Sequence, residues 1–228
     1  MQEIIKEFEQ RVKDVEQYLH FLKQVHKPQE ECAYGEIDEN LKRILRANAY
    51  IIIYNMVEYS IRYGILEIYQ EMKLNKCTYS TIRQEIRDIW LNEHYRKIFK
   101  VSANWESARK TAAQLVEKAV NNVIISLDEE AIPISGNLDA RQIRLICEAH
   151  GISYQTHPDA KGGVELLTVK KQRNSLAHGN ISFSECGHKL GLEQLEKIKS
   201  EIVTFVRDIL ANIMDYIDKK KYERANVS

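Results

Sequence analysis

The sequence predicts an all-α protein, a bundle of long helices with a small inserted element. Apolar residues recur at intervals of three and four over most of the chain, which is the spacing of one helix face. Only 3 Pro and 9 Gly occur in 228 residues, fewer than many short strands and their turns would need. With 44% hydrophobic and 29% charged residues, the composition is that of a globular protein with a large core.

Seven helices are expected. They span, in order, residues 2–26, 37–72, 80–99, 105–123, 138–150, 164–178 and 192–217. Ser80 or Thr81 suits the N-cap of the third helix, and Gly151 and Gly179 suit the ends of the fifth and sixth. The second is apolar on almost every side around residues 49–57, which predicts a place at the centre of the bundle.

The connections carry the turn-forming residues. The segment 121–137 contains β-branched residues, Pro133 and Gly136, which predicts a loop or a short strand. Residues 152–163 and 180–191 are also expected to be loops. We therefore expect one domain over residues 1–228, in which residues 125–165 form an inserted subdomain.

Charge and cysteine content exclude several classes of protein. The formal net charge is zero, with 33 basic and 33 acidic residues, so indiscriminate coating of nucleic acid is not expected. The four widely spaced cysteines form no zinc-ligand pattern and predict reduced, mostly buried thiols. No metal or other cofactor is expected. The charged, amphipathic N-terminus and the lack of a long apolar run predict a cytoplasmic protein with no membrane partner.

A stripe of polar residues runs along one face of the second predicted helix. Asn48, Asn55 and Arg62 are seven residues apart, and Glu58 lies between the last two. One interpretation is a surface pair of Glu58 with Arg62, with Asn55 bonded to backbone. The other is that the stripe lines a buried or dimer-facing site, with Asn55 and Glu58 as its supporting residues.

The segment RNSLAHG, residues 173–179, carries the strongest indication of chemistry. It resembles the signature of the HEPN superfamily, an Arg, often followed by Asn, and a His after four to six residues. Here these are Arg173, Asn174 and His178. The segments YNMVE (54–58) and SGNLDARQI (135–143) and the terminal helix also resemble a prokaryotic HEPN-like nuclease subfamily, so the resemblance covers most of the chain.

The spacing alone is weak, because the chain matches it twice more. These matches are Arg87 with His94 and Arg144 with His150. The segment at Arg173 differs from them by the Asn after the Arg, by the glycine after the His, and by the neighbouring Lys170 and Lys171. We interpret Arg87 and Arg144 as residues of solvated helix faces.

Helical geometry restricts how Arg173 and His178 could cooperate. Five positions of a regular helix turn by about 500°, which leaves these side chains about 140° apart. They could meet at one phosphate if Gly179 places His178 at the helix end. Alternatively, two protomers could complete a shared cleft, and the resemblance implies such a homodimer.

The resemblance implies a metal-independent endoribonuclease of a toxin–antitoxin or phage-defence system. Its substrate would be RNA, and an antitoxin or other regulatory partner would restrain it. Arg173 and His178 would be catalytic, with Asn174 supporting them and Lys170 and Lys171 binding phosphate. Histidine transfers protons near neutral pH, and a forked guanidinium binds phosphate and stabilises its developing charge. The attacking group would be the RNA 2′-hydroxyl.

Other interpretations remain open. Arg173 and His178 could form only a capping interaction, or the chain could be a non-cleaving HEPN scaffold that binds RNA or nucleotide. Some HEPN toxins are controlled through a Tyr two residues after the His, but Asn180 stands there. Residues 138–152 could form a DNA-binding helix-turn-helix, but the acidic Asp139 and Glu148 argue against sequence-specific DNA binding.

Overall fold

The computed structural model describes residues 1–28, 34, 36–101, 105–134 and 136–224. Within these residues the chain forms helices and two 3₁₀ turns, with isolated bridges but no strand, so the all-α prediction is confirmed. The helices are α1 (Gln2–Val25), α2 (Glu39–Leu74), α3 (Gln84–Val101), α4 (Trp105–Val120), α5 (Ala140–His150), α6 (Glu165–Ala177), α7 (Phe183–His188) and α8 (Leu192–Asp218). None of them, over the described residues, is long and apolar enough to cross a membrane.

The chain divides into two compact units. The first comprises Met1–Ile61, Ile134–Ile143 and Gln155–Leu210, and the second comprises Arg62–Pro133, Arg144–Tyr154 and Ala211–Ser228. Helices α2, α5 and α8 contribute residues to both units. That residues 125–165 form an inserted subdomain stays a prediction.

The core of the first unit follows the predicted helical periodicity. On α1 the apolar residues at this spacing are buried, namely Ile4, Phe8, Val12, Val15, Leu19, Leu22 and Val25, and Phe8 and Leu22 are almost fully enclosed. Ile5, which also belongs to the apolar pattern, is only half-buried. Most of residues 49–57 of α2 are buried, in agreement with an inner position, but two of them are exposed. Residues 49–57 are not enclosed on all sides, because Ile51 is 37% exposed and Asn55 is also exposed. Apolar residues on every side indicate a central helix only when neighbouring helices cover all of its faces.

Helix α7 lies in a segment that was predicted to be a loop. Ser182 is its N-cap and forms a capping box with Glu185. The Ser182 Oγ accepts a hydrogen bond from the Glu185 backbone amide, and the Glu185 carboxylate accepts one from the Ser182 backbone amide. At its end a Cβ on Gly187 would lie 1.9 Å from the Arg43 carbonyl oxygen of α2, so only glycine permits this approach. The Ser182–Glu185 pair is the sequence signal that the loop prediction missed.

The structure shows the residues at the start of α3 and at the two ends of α5. Ser80 and Thr81 do not cap α3, which begins at Gln84, because they belong to the turn that precedes it. Asp139 directly precedes α5, and its Oδ1 accepts a hydrogen bond from the Gln142 amide at 2.9 Å. Gly151 follows α5 with a φ of +70°, the left-handed conformation expected at a helix end.

The cysteines that the structure describes are free thiols. Cys77, Cys147 and Cys186 are buried, and burial raises the pKa of the Cys147 thiol to about 12. Such protonated, enclosed thiols are unreactive, in agreement with a structural role. Cys32 lies outside the described residues.

The second unit encloses a histidine. His150 is 1% exposed, its Nδ1 lies 2.6 Å from the Ile146 carbonyl oxygen, and its Nε2 lies 2.7 Å from the Tyr69 hydroxyl. Because a carbonyl only accepts, Nδ1 carries the proton and Nε2 accepts from Tyr69. Burial lowers the pKa of His150 to about 4, although the Ile146 carbonyl acts in the opposite direction.

This histidine should make stability depend on pH. Between about pH 6.5 and pH 4 the unfolded chain is protonated at His150 while the folded chain is not, so stability falls as the pH falls. From pH 7.5 to pH 5 the loss from this residue is about 2 kcal/mol of unfolding free energy. Urea unfolding at the two pH values should show a smaller loss in His150→Gln than in the wild type.

The exposed His188 provides the matched control. His188→Gln should keep the wild-type difference between the two pH values. An unchanged pH dependence in His150→Gln would contradict the assignment of the buried neutral imidazole.

Candidate functional site

The C-terminal end of α6 determines where His178 lies. Gly179 adopts a φ of +69°, its amide donates to the Leu176 carbonyl at 3.2 Å, and the Asn180 amide donates to the Ser175 carbonyl at 2.8 Å. These two bonds form a Schellman motif, in which a glycine turns the chain out of the helix. His178 is therefore the C-cap residue, with φ −93° and ψ 1°, and it is exposed.

Arg173 lies one and a half turns earlier on α6 and is held by several neighbours. Its Nη1 donates to the Asn174 side-chain oxygen at 2.9 Å and to the Gly136 carbonyl at 3.3 Å. Its Cζ lies 4.5 Å from the centre of the Tyr54 ring, a cation–π distance. The Arg173 side chain is 30% exposed, so it is oriented by the protein and still reaches solvent.

Glu58 is the anion beside this guanidinium. Its Oε2 lies 3.8 Å from the Arg173 Nη2, and its side chain is 22% exposed. Tyr54 and Glu58 are four residues apart on α2, so both lie on the face that contacts Arg173. The predicted supporting role of Glu58 thus has a geometric basis, a contact with the predicted catalytic arginine.

The segment 136–139 closes the other side of the site. The Leu138 backbone amide donates to the Tyr54 hydroxyl at 2.9 Å. The Asn174 side-chain Nδ2 donates to the Asn137 side-chain oxygen at 2.8 Å. Asp139 forms an ion pair with Lys170. Burial alone would raise the pKa of Asp139, but the bonds from Lys170 and from the Gln142 amide lower it below its usual value.

The remaining predicted residues are not gathered at this point. The Asn55 side-chain oxygen accepts from Arg11 at 2.7 Å, which gives it a partner on α1. Arg62, at the far end of the predicted stripe, pairs with Glu129 in the second unit. Lys170 is 20% exposed and bound to Asp139, whereas Lys171 is exposed. The stripe therefore divides, and only its Glu58 contacts Arg173.

Three of the residues that orient Arg173 and Asn174 were not predicted from the sequence. Tyr54 is 2% exposed and looks like an ordinary core aromatic in the sequence. Gly136 and Asn137 stand in a segment interpreted as a loop. All three fall in or beside YNMVE and SGNLDARQI, the segments that carry the wider resemblance, which was the available signal; Ser135, the first residue of the latter, lies outside the described residues.

The two other Arg–His matches are structural. Arg87 is half-buried, not on a solvated face, and it donates to the carbonyls of Tyr79 and Ser80 at 2.8 and 3.0 Å. Arg144 is also half-buried, and its partner in the match, His150, is enclosed in the second unit. The exposed imidazole of His178 distinguishes the match at Arg173.

The site has the groups for phosphate chemistry. A fixed cation lies on one side of α6, an exposed imidazole lies at its end, and no hydrogen bond joins the two among the described residues. Over the same residues, no group of three or more His, Cys, Asp or Glu side chains is placed to hold a metal ion. The arrangement can bind an anion at Arg173 and exchange a proton at His178.

Gly179→Ala should test how the end of α6 is formed. The alanine Cβ would meet nothing within 4 Å, so the expected loss of about 1 kcal/mol in unfolding free energy comes from the left-handed backbone alone. Gly191→Ala is the control, because its Cβ also meets nothing and its φ is not left-handed. Denaturant unfolding measures both. Equal stabilities of the two variants would contradict the strained C-cap.

The chain matches a family model over nearly all of its length. The family model described as HEPN_MAE_28990-like HEPN matches residues 1–222, nearly the whole chain. No curated protein and no solved structure shows significant similarity. Because the match includes α2, the segment 136–139 and α6 together, the chain belongs to the HEPN_MAE_28990-like family of HEPN domains.

Proposed function

We propose that the protein is a metal-independent endoribonuclease in which Arg173 and His178 act on the scissile phosphate. The observation that carries this proposal is the end of α6, where Gly179 leaves the imidazole of His178 exposed while four neighbours orient the guanidinium of Arg173. HEPN domains are commonly ribonucleases, and the family match supports the same assignment.

The reaction needs one proton acceptor, one proton donor and one cation. The ribose 2′-hydroxyl gives its proton to an imidazole, its oxygen forms a bond to phosphorus, and the bond from phosphorus to the 5′-oxygen breaks. The departing 5′-oxygen takes a proton, and the product ends in a 2′,3′-cyclic phosphate. Arg173 would hold the phosphate oxygens and stabilise the charge that develops on them. Asn174 would keep Arg173 in position through its side-chain oxygen.

A homodimer would supply the second histidine. Each chain carries one His178, and on a two-fold axis the same residue of both protomers faces one cleft. One imidazole would then accept the 2′-hydroxyl proton while the other donates to the leaving oxygen. Sedimentation equilibrium on active protein measures this, and a cleaving monomer would contradict the shared cleft.

The biological setting we propose is a toxin–antitoxin or phage-defence system in the cytoplasm. An RNA-cleaving activity harms the cell that makes it, so a regulatory partner protein would hold it in check. Lys171, exposed on α6 two residues before Arg173, would bind a neighbouring phosphate. Lys170 could do so only by exchanging its ion pair with Asp139.

Single substitutions at the pair should abolish cleavage. His178→Ala removes the proton-transfer group and should lower the rate of RNA cleavage by a factor of about 10² to 10⁴. Arg173→Ala removes the charge stabilisation and should lower it by about 10² to 10³. Gel assays with EDTA present should still show wild-type cleavage, and a single 2′-deoxy substitution at the cleavage position should block it there.

His188→Ala and Arg109→Ala serve as controls, since both residues are exposed and of the same types. They should cleave at the wild-type rate. Cleavage that survives His178→Ala would overturn the assignment, and cleavage that EDTA abolishes would overturn its metal independence.

Glu58→Gln should strengthen RNA binding. In the free protein the carboxylate beside Arg173 offsets part of the charge that a phosphate would meet. Glutamine keeps an oxygen for Arg173 and removes the negative charge, so the Kd for uncleavable RNA should fall by about two- to fivefold, the scale of a solvent-screened ion pair. Weaker binding would mean that the Glu58 charge is needed to orient Arg173.

The alternative is a HEPN scaffold that binds RNA or nucleotide without cleaving it. The ion pairs of Arg173 with Glu58 and of Lys170 with Asp139 favour it, because both cations are already partly compensated. Expression of the wild type, Arg173→Ala and His178→Ala in one host separates the two. Growth arrest by the wild type alone supports the nuclease, and equal growth with RNA binding by purified protein supports the scaffold.

A further inference from the structure

A second cationic surface lies in the second unit. The N-terminal turn of α3 and the segment that follows α8 enclose a cleft of about 650 Å³. We call it the basic cleft. It is lined by Ile82, residues 83–85, Arg87, residues 219–221, Glu223 and Arg224.

The charge of the basic cleft stands out in a chain whose formal net charge is zero. Six of its ten lining residues are Lys or Arg and two are Glu. Asp215 adds one further negative charge nearby, because it pairs with both Lys219 and Lys221. The local excess is therefore positive, which is the electrostatic property that binds polyanions.

The walls of the basic cleft are held by the backbone. The Arg83 amide donates to the Tyr222 carbonyl at 3.0 Å, and the Arg224 amide donates to the Thr81 carbonyl at 2.7 Å. The Arg83 guanidinium also donates to the carbonyls of Gly151 and Lys221, both at 3.2 Å, and it pairs with Glu85. The cleft thus keeps its shape without a ligand, which lowers the entropy cost of binding.

Its outer cations remain open to solvent. Lys219, Lys220, Lys221 and Arg224 are all exposed. The Lys220 ammonium donates to the side-chain oxygen of Asn75 at 2.9 Å. No ion pair of Arg224 is found among the described residues, so its guanidinium is available to an incoming anion.

We infer that the basic cleft binds the phosphate backbone of an RNA strand. Several cations along one cleft fit a chain of phosphates better than a single small anion. None of the described residues that line the cleft is aromatic, so these residues offer no platform for stacking bases, and the contact should be independent of base sequence. The choice of RNA among polyanions rests on the proposed ribonuclease function, whereas the anion site itself does not.

The test compares two triple variants of the full chain. The cleft variant carries Lys219→Gln, Lys220→Gln and Arg224→Gln, and it spares Arg83 and Arg87, which bond to the backbone. The control carries Lys6→Gln, Lys13→Gln and Lys110→Gln, three exposed lysines on α1 and α4. Both lose three positive charges. Binding is measured by fluorescence anisotropy with 2′-O-methyl RNA, which the 2′-hydroxyl chemistry cannot cleave.

The cleft variant should bind RNA about tenfold or more weakly than the wild type at physiological salt. The slope of its log affinity against log salt concentration should be smaller in magnitude by about 2, because each of the three lost contacts to a single strand contributes about 0.7. The control should stay close to the wild type. Equal weakening of both variants, or unchanged binding by a cleft variant that melts at the wild-type temperature, would overturn the inference.

Two further measurements separate the alternatives. If the cleft variant loses binding of a fluorescent nucleoside triphosphate but keeps its affinity for RNA, the cleft is a nucleotide site and the inference is wrong. Cleavage of unmodified RNA is assayed separately. Its absence from the wild type overturns the proposed nuclease alone, because the binding of 2′-O-methyl RNA requires no cleavage.

Discussion

The contact between Arg173 and the ring of Tyr54 is the interaction on which the candidate site depends. It joins α6 to α2, and the Tyr54 hydroxyl in turn accepts the Leu138 amide, which fixes the segment 136–139. Gly136 and Asn137 of that segment then accept hydrogen bonds from Arg173 and Asn174. One buried tyrosine therefore positions three separate parts of the chain around a single guanidinium.

This arrangement explains why an arginine tolerates a half-buried position. A guanidinium must keep hydrogen-bond acceptors when it leaves water, and here it has a carbonyl, an amide oxygen, an aromatic face and a carboxylate. Lysine could not satisfy this set with its single ammonium group. The same partners limit the rotamers of Arg173, so that little further ordering would be needed when an anion binds.

A chain of zero net charge can still gather positive charge at one place on its surface. Zero net charge argued against extended nucleic-acid contacts, and the only cluster singled out was that around Lys170, Lys171 and Arg173. The folded chain also gathers Arg83, just before α3, and Arg87, in its first turn, with the run of lysines after α8, residues far apart in sequence. The run KKK at residues 219–221 was a visible signal, but its partners Arg83 and Arg87 could not be identified from spacing.

Sequence periodicity determined the helices, because burial of one face repeats every three to four residues and needs no knowledge of the partner. The glycine at position 179 predicted the end of α6, because glycine adopts a left-handed backbone that other residues resist. Periodicity failed at α7, whose first turn depends on the capping of Ser182 and Glu185 and not on apolar repeats.

The sequence by itself determined the all-α class, the approximate bounds of most helices and, through RNSLAHG together with YNMVE and SGNLDARQI, the resemblance to the HEPN superfamily, which the family match confirms. Only the tertiary structure decided which polar residues meet. In the folded chain Asn55 bonds to Arg11, Glu58 pairs with Arg173 and Lys170 pairs with Asp139. His150 is buried. The physical reason is that helical patterns arise from neighbours along the chain, whereas ion pairs and hydrogen bonds between helices depend on residues that only folding brings together.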